Sequence, residues 1–235
     1  MLIIADARFP ERVLKNLEQF GQVLPFASQG IVYEAISGHP DIFFCQTPGA
    51  LVAAPNTLAG ILNKVKKTGI NLVLGRLPVG SAYPDSARYN AFVGSGCLVH
   101  RPEITDPAIA DQLKGMKTIS VAQGYSRCNL VEAGGLFITS DRGIEKALRK
   151  AGKETFYVEP APIKLPGQKN GFFGGCAGVY QNHLLLAGSV KHFPEGPALK
   201  ESLKNKGVEI VELYDGPLWD GGSILVIEPV KNSEK

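Results

Sequence analysis

Apolar positions along the chain follow two spacings that alternate, and residues 129–160 show one complete cycle. Leu130 and Val131, then Leu136, Phe137 and Ile138, form two short apolar runs around Gly134 and Gly135. Such runs across a paired glycine predict two antiparallel strands joined by a tight hairpin. Ser140 and Asp141 follow, and a short side-chain oxygen there can accept the orphan amides of a first helical turn. Ile144, Ala147, Leu148 and Ala151 then recur at helical spacing, with Arg142, Glu145, Lys146, Arg149 and Lys150 mostly on the other face. Gly152 ends the helix, since glycine enters the left-handed region without strain. Residues 155–158 predict a last strand, closed by Pro160. The unit reads strand, strand, helix, strand.

The same cycle recurs. Helical segments ending in glycine are predicted over 10–21, 57–69, 107–115, 141–152 and 197–207. Strands follow over 22–26, 70–74, 117–122, 155–158 and 208–214, and strand pairs precede the later helices over 42–54, 92–100, 130–138 and 172–186. Gly21, Gly69, Gly115, Gly152 and Gly207 stand 37 to 55 residues apart, which suits a degenerate repeat with loop insertions. A further strand pair, 222–228, has no helix after it. It would complete the first unit and close a ring, removing the exposed ends of an open array. The predicted units are 1–41 closed by 221–230, then 42–90, 91–128, 129–170 and 171–220, in one domain over 1–235. The polar tail from Lys231 is expected to fray.

Composition narrows the function more than the fold. Hydrophobic residues make up 44% of the 235 and supply ample core, while 20% charged is ordinary for a soluble protein. The net charge of +3 is spread over helix faces, so nucleic-acid binding is not indicated. Met1, Leu2, Ile3 and Ile4 run straight into Asp6 and Arg8, which reads as a buried strand rather than a signal peptide. No apolar run reaches the length of a membrane span. Cys45, Cys97, Cys128 and Cys176 lie far apart without metal-type spacing, so reduced thiols in a cytoplasmic protein are expected, with no metal and no cofactor.

Candidate chemistry gathers in the loops. The stretch 77–90 is too long for an ordinary connection and holds Tyr83, Asp85, Arg88 and Tyr89. Cys128 is the first candidate nucleophile: Arg127 beside it would lower the thiol pKa, and Tyr125 and Asn129 are close by. Its other reading is a small buried residue at a strand start. Cys176 lies among Gly174, Gly175 and Gly178, which leave room for a ligand or, alternatively, for close backbone packing. Cys45 and Cys97 read as core. His39 beside Asp41 suits a general base, or Asp41 only shapes the turn. His192 is a second base candidate or a surface histidine, and His100 and His183 read as strand-end or turn residues. Asp41, Asn90, Asn129, Asn170 and Asp220 each stand just before the first strand of a unit. In a five-fold ring they would circle one end of the axis and suit a small cationic or polyhydroxy ligand, or each would cap its own turn.

The motifs QGYSRCN at 123–129, GFFGGCAG at 171–178 and LWDGGSILVIE at 218–228, with HPD at 39–41, resemble an uncharacterised bacterial family of the pentein, or guanidino-group-modifying-enzyme, fold. The resemblance implies an α/β propeller of five ββαβ units around a pseudo-five-fold axis, with a polar site at one mouth of a narrow channel. In catalytic penteins a cysteine near the C-terminus attacks the guanidinium carbon, a histidine shuttles protons and carboxylates hold the guanidinium nitrogens. The matching turn here is Gly221, Gly222 and Ser223, followed by Ile224, Leu225 and Val226, and no cysteine lies beyond Cys176. Three expectations stay open. One is an enzyme or degraded enzyme acting on a small guanidino- or amidino-like compound. Its nucleophile would be Cys128 or Cys176, its base His39, and its ligand-binding groups Asp41, Asp85, Asn90, Tyr125, Arg127, Asn129 and Asp220. The second is a non-catalytic binding protein, since the fold also includes a ribosome anti-association factor; the third is a ligand sensor.

Overall fold

The computed structural model describes residues 1–228. β1 (Leu2–Asp6), α1 (Glu11–Leu17) and β2 (Gln22–Phe26) open the chain, with β2 parallel to β1. The next sheet shows the whole pattern. β3 (Phe44–Thr47) and β4 (Ala50–Ala53) pair antiparallel, α2 (Ala59–Lys66) carries the chain back, and β5 (Leu72–Leu74) joins β4 in parallel. A parallel neighbour needs a crossover, and a short helix provides one. The third sheet repeats this with β6 (Phe92–Gly94), β7 (Cys97–His100), α3 (Pro107–Gln112) and β8 (Lys117–Ser120). After α4 (Ser126–Asn129), the fourth uses β9 (Leu130–Ala133), β10 (Leu136–Thr139), α5 (Arg142–Lys150) and β11 (Thr155–Tyr157). The fifth uses β12 (Ala177–Tyr180), β13 (His183–Leu186), α6 (Gly196–Lys204) and β14 (Glu209–Glu212). β15 (Leu225–Ile227) then pairs antiparallel with β1, Val226 opposite Ile3, and completes the first sheet. The five-unit ring expected from the repeat is the observed arrangement.

Burial distinguishes the strands by their place in each sheet. The middle strands β1, β4, β7 and β10 are buried at every residue, and β13 at all but His183. The rim strands β2, β5, β8, β11 and β14 are largely exposed or half-buried. β3, β6, β9, β12 and β15 line the centre: β3 neighbours β6, β6 neighbours β9, β9 neighbours β12, and β12 neighbours β15. Gln46 Nε2 donates to the Val226 carbonyl at 2.7 Å and joins β15 to β3. All five are equivalent strands of their units, so they run the same way along the axis. The residues that lead into them therefore collect at one end.

Local chemistry explains most element ends. Gly134 and Gly135 have φ of 59° and 82°, as the predicted tight hairpin requires. Gly69, Gly115, Gly152 and Gly207 stop their helices at φ of 72–84°, but Gly21 is not left-handed, and α1 already ends at Leu17. The strand pair predicted over 222–228 yields the single strand β15. The residues before the inner strands form single helical turns at Pro40–Ile42, Asp85–Ala87, Ser126–Asn129 and Gly174–Cys176. Cys128 therefore sits in α4, not at a strand start. The polar tail from Lys231 lies outside the described residues. Among the described residues, no helix is long and apolar enough to cross a membrane.

Candidate functional site

Three of the leading turns and the closing segment converge on one cluster. The Cys128 backbone N–H donates to Asn90 Oδ1 at 3.1 Å, and its Sγ–H donates to Asp41 Oδ2 at 3.0 Å. Asn90 Nδ2 in turn donates to Cys128 Sγ at 3.1 Å and to the Asp41 carbonyl at 3.2 Å. Ser223 completes the set, its Oγ–H donating to Asp41 Oδ2 at 2.6 Å. Ser223 has φ of 71°, unusual for a residue with a side chain, and its N–H is held by the Gly175 carbonyl at 2.9 Å. Asp41 N–H reaches the Gly222 carbonyl at 3.3 Å, so the two ends of the chain meet at this point.

His39 and Asp220 stand beside this cluster. Both are buried, with His39 Nε2 3.8 Å from Asp220 Oδ1. Asp220 Oδ1 accepts from Gly222 N–H at 3.0 Å and Oδ2 from Phe172 N–H at 2.8 Å. Two glycines make these seats possible. A Cβ on Gly222 would overlap the His39 side chain, and one on Gly175 would overlap the Asp220 carboxylate. Neither ring nitrogen of His39, nor Asp41 Oδ1, has a hydrogen-bond partner among the described residues. A cavity of about 140 Å³ opens onto this cluster. His39, Cys128, Asp220, Gln168 and Asn170 supply its polar lining, with Tyr33, Ile36, Tyr125, Leu165 and Phe172 as its walls. An adjoining cleft of about 470 Å³ shares Tyr33, Leu165, Gln168 and Asp220 with it.

The electrostatics differ from the sequence expectation. Burial pushes the Cys128 thiol well above its ordinary pKa, and the charges of Asp41 and Asp220 push it further the same way. Any lowering by Arg127 is outweighed by burial and by Asp41, which is in contact with the sulfur. Arg127 donates to the carbonyls of Leu130 and Gly174 at 3.2 Å and of Ala177 at 3.3 Å. It lines a cavity with Gln46, Glu132 and the inner strands, not the Cys128 cavity. Burial also raises the Asp220 carboxyl above the usual carboxylate range, partly offset by His39 and by the two N–H donors.

Other candidate residues lie elsewhere. Asp85 is exposed and pairs with Arg88, away from the cavity. Cys176 is buried beneath it, donating to the Phe172 carbonyl at 3.3 Å, with its thiol pushed up by burial. The glycines around it serve close packing, since a Cβ on Gly174 or Gly178 would overlap neighbouring backbone. Asn129 turns to Ser140, whose Oγ donates to it at 3.2 Å, and Asn129 does not line the cavity. Asn170 does line it, and Tyr125 forms a wall while its hydroxyl bonds Ser86 at 2.7 Å. Of the other histidines, His192 is exposed beside Asp215, while His100 is buried between Thr105 and the Gly124 carbonyl. Cys45 and Cys97 are core residues. Sequence reasoning passed over Ser223, Tyr33, Gln168 and Phe172 as site residues. Only Ser223 carried a signal, its place after the paired glycine.

Residues 4–225 match the family of unknown function DUF6873. The chain belongs to that family. No curated protein matches it by sequence. Solved structures do match, across nearly the whole chain. One is a cysteine-to-serine mutant of DDAH from Pseudomonas aeruginosa complexed with citrulline, with a TM-score of 0.52 at 9% identity, covering 90% of this chain and 91% of that one. Another is SxtG, an amidinotransferase from Microseira wollei, with a TM-score of 0.53 at 9% identity, covering 90% and 87%. A third is the agmatine deiminase of C. jejuni, with a TM-score of 0.52 at 12% identity, covering 90% and 86%. At these identities the likeness establishes the fold. This DUF6873 chain has the pentein fold.

Proposed function

We propose that the cavity binds a small cation of guanidino or amidino type and that Cys128 attacks it. The observation that carries this reading is the convergence of a thiol, an imidazole and the Asp220 carboxylate on one cavity, with the Asp41 carboxylate in contact with the sulfur. Asp41 and Asp220 supply acceptors for planar N–H donors. The rings of Tyr33, Tyr125 and Phe172 suit a delocalised cation. The amidinotransferase and deiminase among the structural neighbours, and the citrulline bound to another, support this ligand class. In the proposed reaction, the Cys128 proton passes to His39 and the sulfur bonds the amidino carbon. A C–N bond of the substrate then breaks, and His39 returns the proton to the departing amine. Water cleaves the S–C bond to regenerate the thiol, or an acceptor amine takes the group instead. A bound cation offsets the carboxylate charges that hold the thiol neutral, so ionisation follows occupancy.

A second reading is ligand binding without chemistry. It is favoured by the raised thiol pKa and by Ser223 standing in the glycine turn where catalytic penteins continue to their cysteine. Alkylation by a haloacetamidine separates the two, carried out with chelator present on the wild type, Cys128→Ser and Cys176→Ser. Rapid labelling near neutral pH, lost in Cys128→Ser and kept in Cys176→Ser, is the expected result. Slow labelling that is equal in all three proteins and gained only on unfolding would sink the nucleophile and leave the binding reading.

A further inference from the structure

We infer that His39, Asp41 and Cys128 form a binding site for a soft divalent cation of the Zn²⁺ class. Each offers one ligand atom, and the three atoms lie within 4.8 Å of one another. All three residues are buried. The second observation is independent of that spacing. His39 is 1% exposed and lines the cavity, yet neither of its ring nitrogens has a partner among the described residues. A buried polar group without a partner is costly, and the usual resolutions are a hydrogen bond or a bound ligand. Asp41 Oδ1 is unpartnered as well, while its Oδ2 is held by Cys128 and Ser223. One carboxylate oxygen is thus fixed and the other is free.

The donor set suits the ion. Imidazole, thiolate and carboxylate together favour Zn²⁺ or Co²⁺ over Mg²⁺ or Ca²⁺, which prefer all-oxygen shells. Ligand atoms around a tetrahedral zinc lie roughly 3.3–3.8 Å apart for bonds of about 2.0–2.3 Å. The sulfur and Asp41 Oδ2 are 3.0 Å apart and no pair of ligand atoms lies beyond 4.8 Å, so tetrahedral spacing needs shifts of up to about an ångström. As the metal–sulfur bond forms, the thiol proton leaves to water. The thiolate, Asp41 and Asp220 then surround the ion with negative charge, while Arg127 is tied to backbone carbonyls on the other side. Ser223 and Asn90 hold Asp41 and Cys128 from behind, the arrangement that orients ligands in metal sites. The fourth position faces the cavity. The ion and the proposed cationic ligand use the same atoms, so they exclude each other. The metal site itself does not depend on nucleophilic chemistry at Cys128.

Zn²⁺ alone, titrated into chelator-stripped wild-type chain against a chromophoric chelator, should bind at one equivalent with micromolar or tighter affinity. His39→Ala and Cys128→Ser should each weaken binding at least tenfold, whereas Cys176→Ser should not. Co²⁺ added to the wild type should give a thiolate-to-metal charge-transfer band that persists in Cys176→Ser and is absent in Cys128→Ser. A wild type without that band overturns the site even if the variants fail to fold, as does equal Zn²⁺ affinity in all folded variants. Haloacetamidine labelling is read separately under chelation. A cobalt band without labelling keeps the metal site and removes the nucleophile; labelling without the band does the reverse.

Discussion

Cys128 and the two buried histidines show how surroundings decide what a side chain can do. Burial pushes Cys45 up to about 12, and that thiol is inert core. Cys128 is raised for the same first reason, but its next two causes are the charges of Asp41 and Asp220, which a ligand or a mutation can change. His100 is lowered to about 4 by burial and has a partner at each nitrogen, so it is settled in its neutral form. His39 is as deeply buried with no hydrogen-bond partner at either nitrogen among the described residues, Asp220 standing 3.8 Å away, which leaves it available to a ligand. Replacing Asp41 by Asn removes a negative charge and a charged acceptor from the sulfur. The Cys128 pKa should therefore fall. Iodoacetamide labelling against pH checks this, with a rate near neutrality roughly tenfold above wild type as the expected outcome. A haloacetamidine should gain less or slow down, because its attraction to Asp41 is lost. An unchanged iodoacetamide profile would show that Asp41 does not control the thiol.

At the scale of elements, the single helical turns before the inner strands matter most. Those before β3, β6 and β9 bend the chain into the axis, so Asp41, Asn90 and Cys128 meet although their units are separate. The longer helices hold these turns from outside. α5 is capped by Asp141, whose Oδ1 accepts from Ile144 N–H at 2.8 Å. The Asp141 Oδ2 also accepts from Gln123 Nε2 at 3.2 Å, and Gln123 Oε1 accepts from Tyr125 N–H at 3.0 Å. Asp141→Ala removes the cap and this tie together. A loss of about 1–2 kcal/mol in urea unfolding is expected, with the cap alone contributing about 1. A loss below about 0.3 kcal/mol would mean that water replaces both roles.

At the scale of the molecule, the ring closes through β15, whose three residues are all buried against β1 and the axis. Burying an aliphatic side chain contributes about 1.5–3 kcal/mol, so losing three removes a large share of a typical domain's stability of about 5–15 kcal/mol. A chain ending at Gly222 should lose cooperative thermal unfolding by circular dichroism and bind a hydrophobic dye; a melting curve like that of the full chain would refute closure as a stabilising feature. The unit pattern was legible in the sequence because strand, cap, helix and glycine stop are set by neighbours a few residues apart. The polar residues before the inner strands were legible for the same reason, since a repeat assigns them equivalent places. Which of them face one another was decided only by tertiary packing. Asp85 went to the surface, Arg127 turned away from the cavity and Cys176 sank beneath it, while Ser223 and Tyr33 joined the site. Side-chain direction at the axis depends on contacts between units, such as Cys128 with Asp41 across 87 residues, and no local pattern carries that information.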